Sequence, residues 1–543
     1  MGASTSSEPK VSPEQQEAEN VASSTGALPI LQKAFSKFAN SETNAIPLEN
    51  LQKCFSFVRE GGSYTTENVN DSFPVLLDQL GSSLVDQFFI SDKGGINWVE
   101  FVKGYNKCCS RVSASIFLNK FIRVFIDVTK KANLSMNLEF ESDDVDCKVN
   151  GYLLPNHVFL LLSICWAMSW DCRNLNGKGK GKGKGNLSVP DLSHLVLSAV
   201  TSCVEDKDGF NVWDCEVLSL EVEIPVGKFV TWVMSTVPCL PDCLKQYFHS
   251  RLQIAVTEGE ELASSDASSV GEISSTTTTT CDSILTQGRA WAISITQRST
   301  INEEISRAFI SSGAGIDENL IYRSSTHGRG LNRFWSHVEG YHGPLLILIA
   351  ASSGNDHEGN SAIRKFVLGA LTNEGLENKD IFYGTAGCLY SLSPVFHVFP
   401  PSGKEKNFVY SHLHPTGRAY QSHPTPVGVA FGGSAGNERI FIDEDFSKVT
   451  IRHHAVDKTY QSGALFPDQG FLPTEALISE VEVWGLGGKA AKDVQNKYKK
   501  REELFTDQRR KIDLKTFANW EDSPEKMMMD MMSDPNAARR EER

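Results

Sequence analysis

Gly432-Gly-Ser-Ala-Gly436 satisfies the Gly-x-Ser-x-Gly expression of serine hydrolases, which would make Ser434 a nucleophile. That chemistry needs a strand-to-helix elbow to lift the serine above a sheet. Here Val427, Val429 and Phe431 alternate with small residues on one side, and Ile440-Phe-Ile442 follows Asn437-Glu-Arg439 on the other. Both flanks read as strands, so the glycines mark a hairpin and the elbow is rejected. A redox or hydrolytic enzyme would otherwise have to use Cys388, the sole thiol from residue 283 onward. It would need a depressed pKa in an open pocket. His412, His414, His453 and His454 are nearby in sequence, but adjacent His453 and His454 point to opposite faces of a strand. Asp443-Glu-Asp445 reads as a solvated turn supported by its own carboxylates. No nucleophile, base and oxyanion donors come together, so no catalytic residue is assigned.

Two stretches have the outline of a calcium loop. Ser91 to Phe101 ends with Gly94, Ile96 and Glu100 at the sixth, eighth and twelfth positions of such a loop. The first and fifth positions then fall on Phe89 and Lys93, which offer no oxygen. Glu205 to Glu216 supplies Asp206 and Asp208 with Gly209 at the sixth position. Its first and twelfth positions are Val204 and Cys215, so it reads as an acidic turn between helices. Cys239-Leu-Pro-Asp-Cys243 lacks a second pair at zinc spacing. No metal and no cofactor is expected.

Met1-Gly-Ala-Ser-Thr-Ser6 fits the N-myristoylation pattern, with Gly2 as the acceptor. A single myristoyl chain binds membranes weakly, so a second attachment is required. The chain of 543 residues carries a net charge of -14, which disfavours nucleic acid as a partner. Its longest apolar run, Val158 to Met168, is too short to cross a bilayer and reads as a buried helix. The 12 scattered cysteines suit reduced thiols in a cytoplasmic setting.

The elements follow from periodicity. Residues 1–26 are rich in Ser, Glu and Pro and are expected to be disordered. Residues 27–255 show helical spacings, as in Leu28, Leu31, Ala34, Phe35 and Phe38. A flexible Gly/Lys loop interrupts them at 176–185, and a polar linker follows at 256–282. Leu331, Phe334, Trp335 and Val338 predict an amphipathic helix. The run from Leu345 to Ala351 predicts a buried strand, with further strands at 366–370, 388–392, 395–399 and 408–411. Glu480-Val-Glu-Val-Trp484 alternates, with its valines and glutamates on opposite faces. Residues 489–517 predict a charged helix with a thin stripe of Val494, Tyr498, Phe505 and Ile512. Residues 518–543 form a Met-rich flexible tail.

Three motifs in order, Tyr383-Gly-Thr-Ala-Gly-Cys-Leu-Tyr-Ser-Leu392, the Gly-rich hairpin of 428–452 and Glu482-Val-Trp-Gly485, resemble the TLDc domain over residues 283–488. The remainder resembles the subgroup with a myristoylatable N-terminus and an EF-hand-like helical region. The resemblance implies an α+β multidomain protein: an all-α EF-hand-like region, then a TLDc β-sandwich flanked by helices, then a projecting C-terminal helix. It also implies a non-enzymatic, monomeric regulator that binds subunits of the vacuolar-type proton ATPase. Such a protein would lie peripherally on lysosomal or vacuolar membranes, with links to oxidative-stress resistance and nutrient signalling. The alternatives are an enzyme using Ser434 or Cys388 and a calcium-responsive scaffold.

Overall fold

The structure, a computed structural model, describes residues 12–57, 64–65, 72–89, 94–142, 148–176, 187–205, 210–257, 283–310, 319–354, 363–413 and 425–518, with Lys526 and Met528. Gly2, Lys93, Asp206, Asp208, Gly209, His414 and nearly all of the Gly/Lys loop, the linker and the Met-rich tail lie outside the described residues.

The first element among the described residues is α1 (Pro13–Ser24), where disorder is expected from composition. Ser12 caps it by accepting from Gln15 N at 3.2 Å, and Pro13 fits the first turn. Its small apolar face, Ala18 and Ala22, is buried, and Glu19 accepts from Trp98 Nε1 at 2.6 Å. Two alanines are too weak a stripe to announce a helix, and tertiary contact supplies the rest.

The helical half repeats one device. α2 (Leu28–Phe38), β1 (Ile46–Pro47) and α3 (Leu48–Phe55) pair, across β2 (Tyr64–Thr65), with α4 (Ser72–Phe88), β3 (Gly95–Ile96) and α5 (Trp98–Cys109). The two loops meet in a short antiparallel ladder, Ile46 opposite Ile96, with both side chains buried. α6 (Ala114–Lys131), β4 (Asn137–Phe140), β5 (Val149–Leu153) and α7 (Pro155–Asn176) pair likewise with β6 (Leu187–Ser188), α8 (Ser193–Cys203), β7 (Ile224–Pro225) and α9 (Val226–Thr236). Here Leu153 opposes Ile224. The half ends with α10 (Asp242–Thr257), which packs on α7, and is completed by α11 (Gln287–Ser294) and α12 (Thr300–Ile310).

The C-terminal half contains β8 (Leu320–Arg323), α13 (Ser324–His327), α14 (Leu331–Val338), β9 (Leu345–Ser353), β10 (Arg364–Thr372), β11 (Lys379–Tyr383), β12 (Gly387–Ser393) and β13 (His397–Phe399). It continues with β14 (Val409–His412), β15 (Gly428–Ser434), β16 (Asn437–Asp443), β17 (Lys448–Ile451), β18 (Thr474–Gly485) and α15 (Gly488–Ala518). The strands form one antiparallel ladder in the order β11-β14-β15-β16-β17-β18-β9-β10-β12-β13, with β8 on β18. The two layers expected of a sandwich are thus limbs of one curled sheet. They face each other across a core that includes Ile347, Ile349, Phe431, Ile442 and Val483.

The central strands are buried on both faces. Leu345, Ile347 and Ile349 enter the sheet's own core, while Leu346 and Leu348 join the core of the helical half. Trp484, Leu486, Tyr390 and Phe396 join them there, in the same cluster as Trp166 and Trp291. The two halves therefore share a continuous apolar interface. This explains why β9 reads as an unbroken apolar run.

β18 departs from the simple alternation. Glu480 is half-buried, and Glu482 is wholly buried. Glu482 accepts from Ile284 N at 3.0 Å, Leu285 N at 3.2 Å and Trp484 Nε1 at 3.0 Å. It also pairs with Arg323 of β8 at 2.9 Å and accepts from Ser283 Oγ at 3.2 Å. Removing one member of such a buried pair strands the other charge, at a cost of about 3–5 kcal/mol. Glu482→Ala is expected to lower stability by about that amount, read as a lowered denaturation midpoint against the wild-type chain.

Candidate functional site: loops, hairpins and the projecting helix

Ser434 ends β15 and pairs with Asn437 across a two-residue turn, Ala435-Gly436. It is exposed, and among the described residues it hydrogen-bonds no histidine. The hairpin inferred from the flanking strands is therefore present. Cys388 is buried, and burial pushes its thiol up to about 12, although the Phe399 carbonyl accepts from it at 3.4 Å. A thiol in that state is protonated and shielded, the reverse of a nucleophile. Asp443 supports its turn, accepting from Ser447 N at 2.8 Å, Ser447 Oγ at 2.7 Å and Lys448 N at 3.2 Å.

The histidines separate as expected. His453 is half-buried and stacks on Phe471, with ring centroids 4.8 Å apart. His454 turns inward, its Nδ1 3.6 Å from Asp457 Oδ2. Asp457 pairs with Arg439, both wholly buried, at 2.8 Å. Arg439 also donates to the carbonyls of Gln461 at 2.7 Å and Gly463 at 2.8 Å, and its guanidinium lies 4.6 Å from the Phe399 ring centre. Nothing in local spacing announces this pair, because the partners are 18 residues apart and meet only through the fold. It fixes the long connection between β17 and β18. That connection presents Val456, Phe471 and Leu472, which are 82%, 77% and 81% exposed. Large apolar side chains at that exposure suit a docking surface better than a core.

The first calcium-loop outline is closed by its own residues. Phe89, at the first ligand position, is buried and stacks on Phe55, Phe101 and Phe248 at 5.9–6.1 Å. Glu100, at the last, is committed to a capping box: its carboxylate accepts from Asn97 N at 2.9 Å, while Asn97 Oδ1 accepts from Glu100 N at 3.0 Å. The second outline is displaced. The ladder that joins the loops lies at Ile224, past Glu216. The described part of 205–216 instead reaches the sheet. Trp213 Nε1 donates to Asp468 Oδ2 at 3.1 Å, and Arg364 lies over the indole at 5.5 Å. Phe210 and Val212 wall an open cleft of about 420 Å³ with Ser391, His397 and Leu465.

α15 has two sections. Its root caps α14: Gln495 is buried, and its Nε2 donates to the His337 carbonyl at 2.7 Å and the Glu339 carbonyl at 3.3 Å. These are end carbonyls that a helix leaves unpaired. Lys499 donates to the same His337 carbonyl at 3.1 Å, and Tyr498 donates to Glu339 at 2.9 Å. The Tyr498 ring lies over Gly340, where a Cβ would come within 2.4 Å of it at a φ of +78°. From Arg501 to Lys511 every residue is exposed, including Leu504 and Phe505.

Two measurements follow. Calcium at millimolar concentration is expected to leave the thermal midpoint of the full chain unchanged, because Phe89 and Glu100 are already committed. A rise in the midpoint would contradict this reading. Burial alone would raise the Asp457 carboxyl, but His454, the Tyr460 and Thr459 amides and Arg439 hold it below its ordinary 3.8. A depressed carboxyl stabilises the fold above its unfolded pKa and loses that contribution as pH falls through its folded value. Asp457→Asn is therefore expected to destabilise the chain by about 3–5 kcal/mol at neutral pH, with the difference from wild type shrinking below about pH 4 in pH-dependent thermal melts.

Comparison with known proteins adds a domain-level match. Residues 294–487 match the TLDc domain. "MTOR-associated protein MEAK7" of Danio rerio is 25% identical over 190 residues, 35% of this chain and 36% of that protein. "Oxidation resistance protein 1" of Homo sapiens is 26% identical over 171 residues, 31% of this chain and 16% of that protein. "Restriction of telomere capping protein 5" of Zygosaccharomyces rouxii is 28% identical over 142 residues, 26% of this chain and 25% of that protein. The matches thus span about a third of the zebrafish relative and about a sixth of the human one. None of the three names denotes a catalysed reaction. The stretch that holds the curled sheet, the Gly-rich hairpin and the buried Glu482 thus matches a TLDc domain, which this chain carries at residues 294–487.

Proposed function

We propose that this protein is a non-enzymatic regulator that acts by docking. Its partner is the vacuolar-type proton ATPase, whose assembly or activity it modulates at lysosomal or vacuolar membranes from the cytoplasmic side. The observation that carries the reading is α15, rooted on α14 through Gln495 and Tyr498 while its Leu504 and Phe505 face solvent. A charged helix held at one end, with two large apolar side chains exposed along its free length, is suited to reach a partner's groove. The exposed Val456, Phe471 and Leu472 on the TLDc domain offer a second contact. A myristoyl group on Gly2 would add a weak membrane attachment, and weak attachments on one chain combine into strong avidity. The names of the relatives motivate a role in nutrient and oxidative-stress signalling. An enzymatic role has little support, since Ser434 is exposed on a hairpin and the Cys388 thiol is raised by burial.

The test uses the full chain and a chain ending at Lys500, which keeps the α15 root, as baits in lysosomal membrane extract. Mass spectrometry is expected to recover proton-ATPase subunits with the full chain and about ten-fold less with the shorter one, as loss of one of two linked contacts predicts. Gly2→Ala is expected to reduce recovery on intact membranes and not in detergent extract. Absence of ATPase subunits from the full-chain bait would end the reading.

A further inference from the structure

The open cleft of about 420 Å³ lies where the two halves of the chain meet, and the docking reading does not use it. Thr201 of α8, Phe210 and Val212 wall it from the helical half. Ser391 of β12, His397 and Phe399 of β13, and Phe466 and Asp468 of the β17–β18 connection wall it from the sheet. A cleft of this size between two folded units is a common setting for a small-molecule site. Its lining indicates which molecule. Thr201 Oγ1 has already given its hydrogen to the Leu197 carbonyl at 2.8 Å. Ser391, 2% exposed, has given its hydroxyl hydrogen to the Val395 carbonyl at 2.9 Å. A hydroxyl whose one hydrogen is committed can still accept but has nothing left to donate. Both side chains therefore call for a donor.

Asp468 adds a carboxylate. Its Oδ2 accepts from Trp213 Nε1 at 3.1 Å. Arg364 stands 3.9 Å from the same oxygen, a loose pair with both side chains largely in solvent. That guanidinium also lies 5.5 Å from the centre of the Trp213 ring. The protein thus already holds one cation of its own between this carboxylate and an aromatic face. Inside the cleft the apolar lining is aromatic as well. Phe466 stacks on Phe366 at 4.8 Å, whereas Phe210 is half-buried and meets no other ring among the described residues. An open ring face attracts a cation, more so where water is partly excluded. The cleft walls desolvate His397, and with Arg439 they hold its imidazole below its ordinary value. It is uncharged at neutral pH and does not oppose a cation. The net charge of -14 draws cations to the molecule as a whole.

We propose that this cleft binds a small organic cation, a protonated primary amine on a flat apolar body. The ammonium group supplies the donors that the polar lining calls for, and the body lies among Phe210, Val212 and Phe466. A carboxylate on the same body would meet lone pairs and the like charge of Asp468, so the site rejects anions. Each half of the chain contributes a wall, so an occupied cleft joins the halves more firmly. The wall at Phe466 and Asp468 runs on to Phe471 and Leu472, and occupancy would steady that exposed apolar loop. The cleft thereby offers a small molecule a way to act on the TLDc surface without contact at α15.

The test titrates the full chain near neutral pH with naphthylethylamine, naphthylethanol and naphthylpropionate, read by ligand-observed saturation-transfer NMR. The amine is expected to bind with a dissociation constant of about 1 mM or tighter, as its size allows. The alcohol is expected to bind about ten-fold more weakly, since it lacks the charge, and the carboxylate not at all. Val212→Trp, which fills the cleft from a half-buried position, is expected to abolish amine binding. Asp468→Asn keeps an acceptor for Trp213 and is expected to weaken the amine about ten-fold while leaving the alcohol unchanged. Thermal melts confirm that both variants fold, and the charge series on the wild-type chain decides alone if either does not. No saturation transfer to the amine, equal or tighter binding of the carboxylate, or amine binding that a folded Val212→Trp chain retains would overturn the proposal. None of these outcomes depends on the ATPase.

Discussion

A single buried carboxylate holds the architecture together. Glu482 has no access to water, so every lone pair must find a donor within the protein. The donors come from the start of the C-terminal half, from β8 and from the neighbouring Trp484. The stretch entering from the helical half, the edge strand and the longest strand are thereby fixed at one point. β18 is also where the sheet turns. Its first residues pair with β17, its later ones with β9, and β8 takes the edge that β17 leaves. Loss of the charge at this junction would loosen the inner core and the contact between the halves together.

That contact changes how the protein is understood. The face of the sheet carrying Leu346, Leu348 and Trp484 is covered by the helical half, so it is not a surface for partners. Among the described residues, the loop carrying Phe471 and Leu472 and the far part of α15 are open to solvent. The helical half has correspondingly turned its loops to packing. Phe89 fills an aromatic core, Glu100 caps a helix, and Trp213 reaches across to Asp468. A scaffold whose loops are occupied by their own structure presents the C-terminal half.

Much of this was legible in sequence, for local reasons. The stripe of Leu331, Phe334, Trp335 and Val338 is one helix face, and all four side chains are buried. The hairpin around Ser434 followed from strand patterns on both sides, and the absence of oxygen at Phe89 followed from residue type alone. The motif at 482–485 pointed to the family without revealing that its glutamate is the anchor. Alternation placed Glu480 and Glu482 on a polar face, and period-two patterning cannot distinguish water from a buried set of donors. The helix at 13–24 was hidden for the opposite reason, because its two alanines carry too little hydrophobic signal.

The sequence by itself determined most element types, the α+β division and the TLDc resemblance, since these depend on residue chemistry and spacings of a few positions. The tertiary structure decided the meetings between distant residues. Arg439 with Asp457, Arg323 with Glu482 and Gln495 with the end of α14 are separated by 18 to 159 residues. A charge or amide states its needs in sequence, but only chain closure determines which partner meets them.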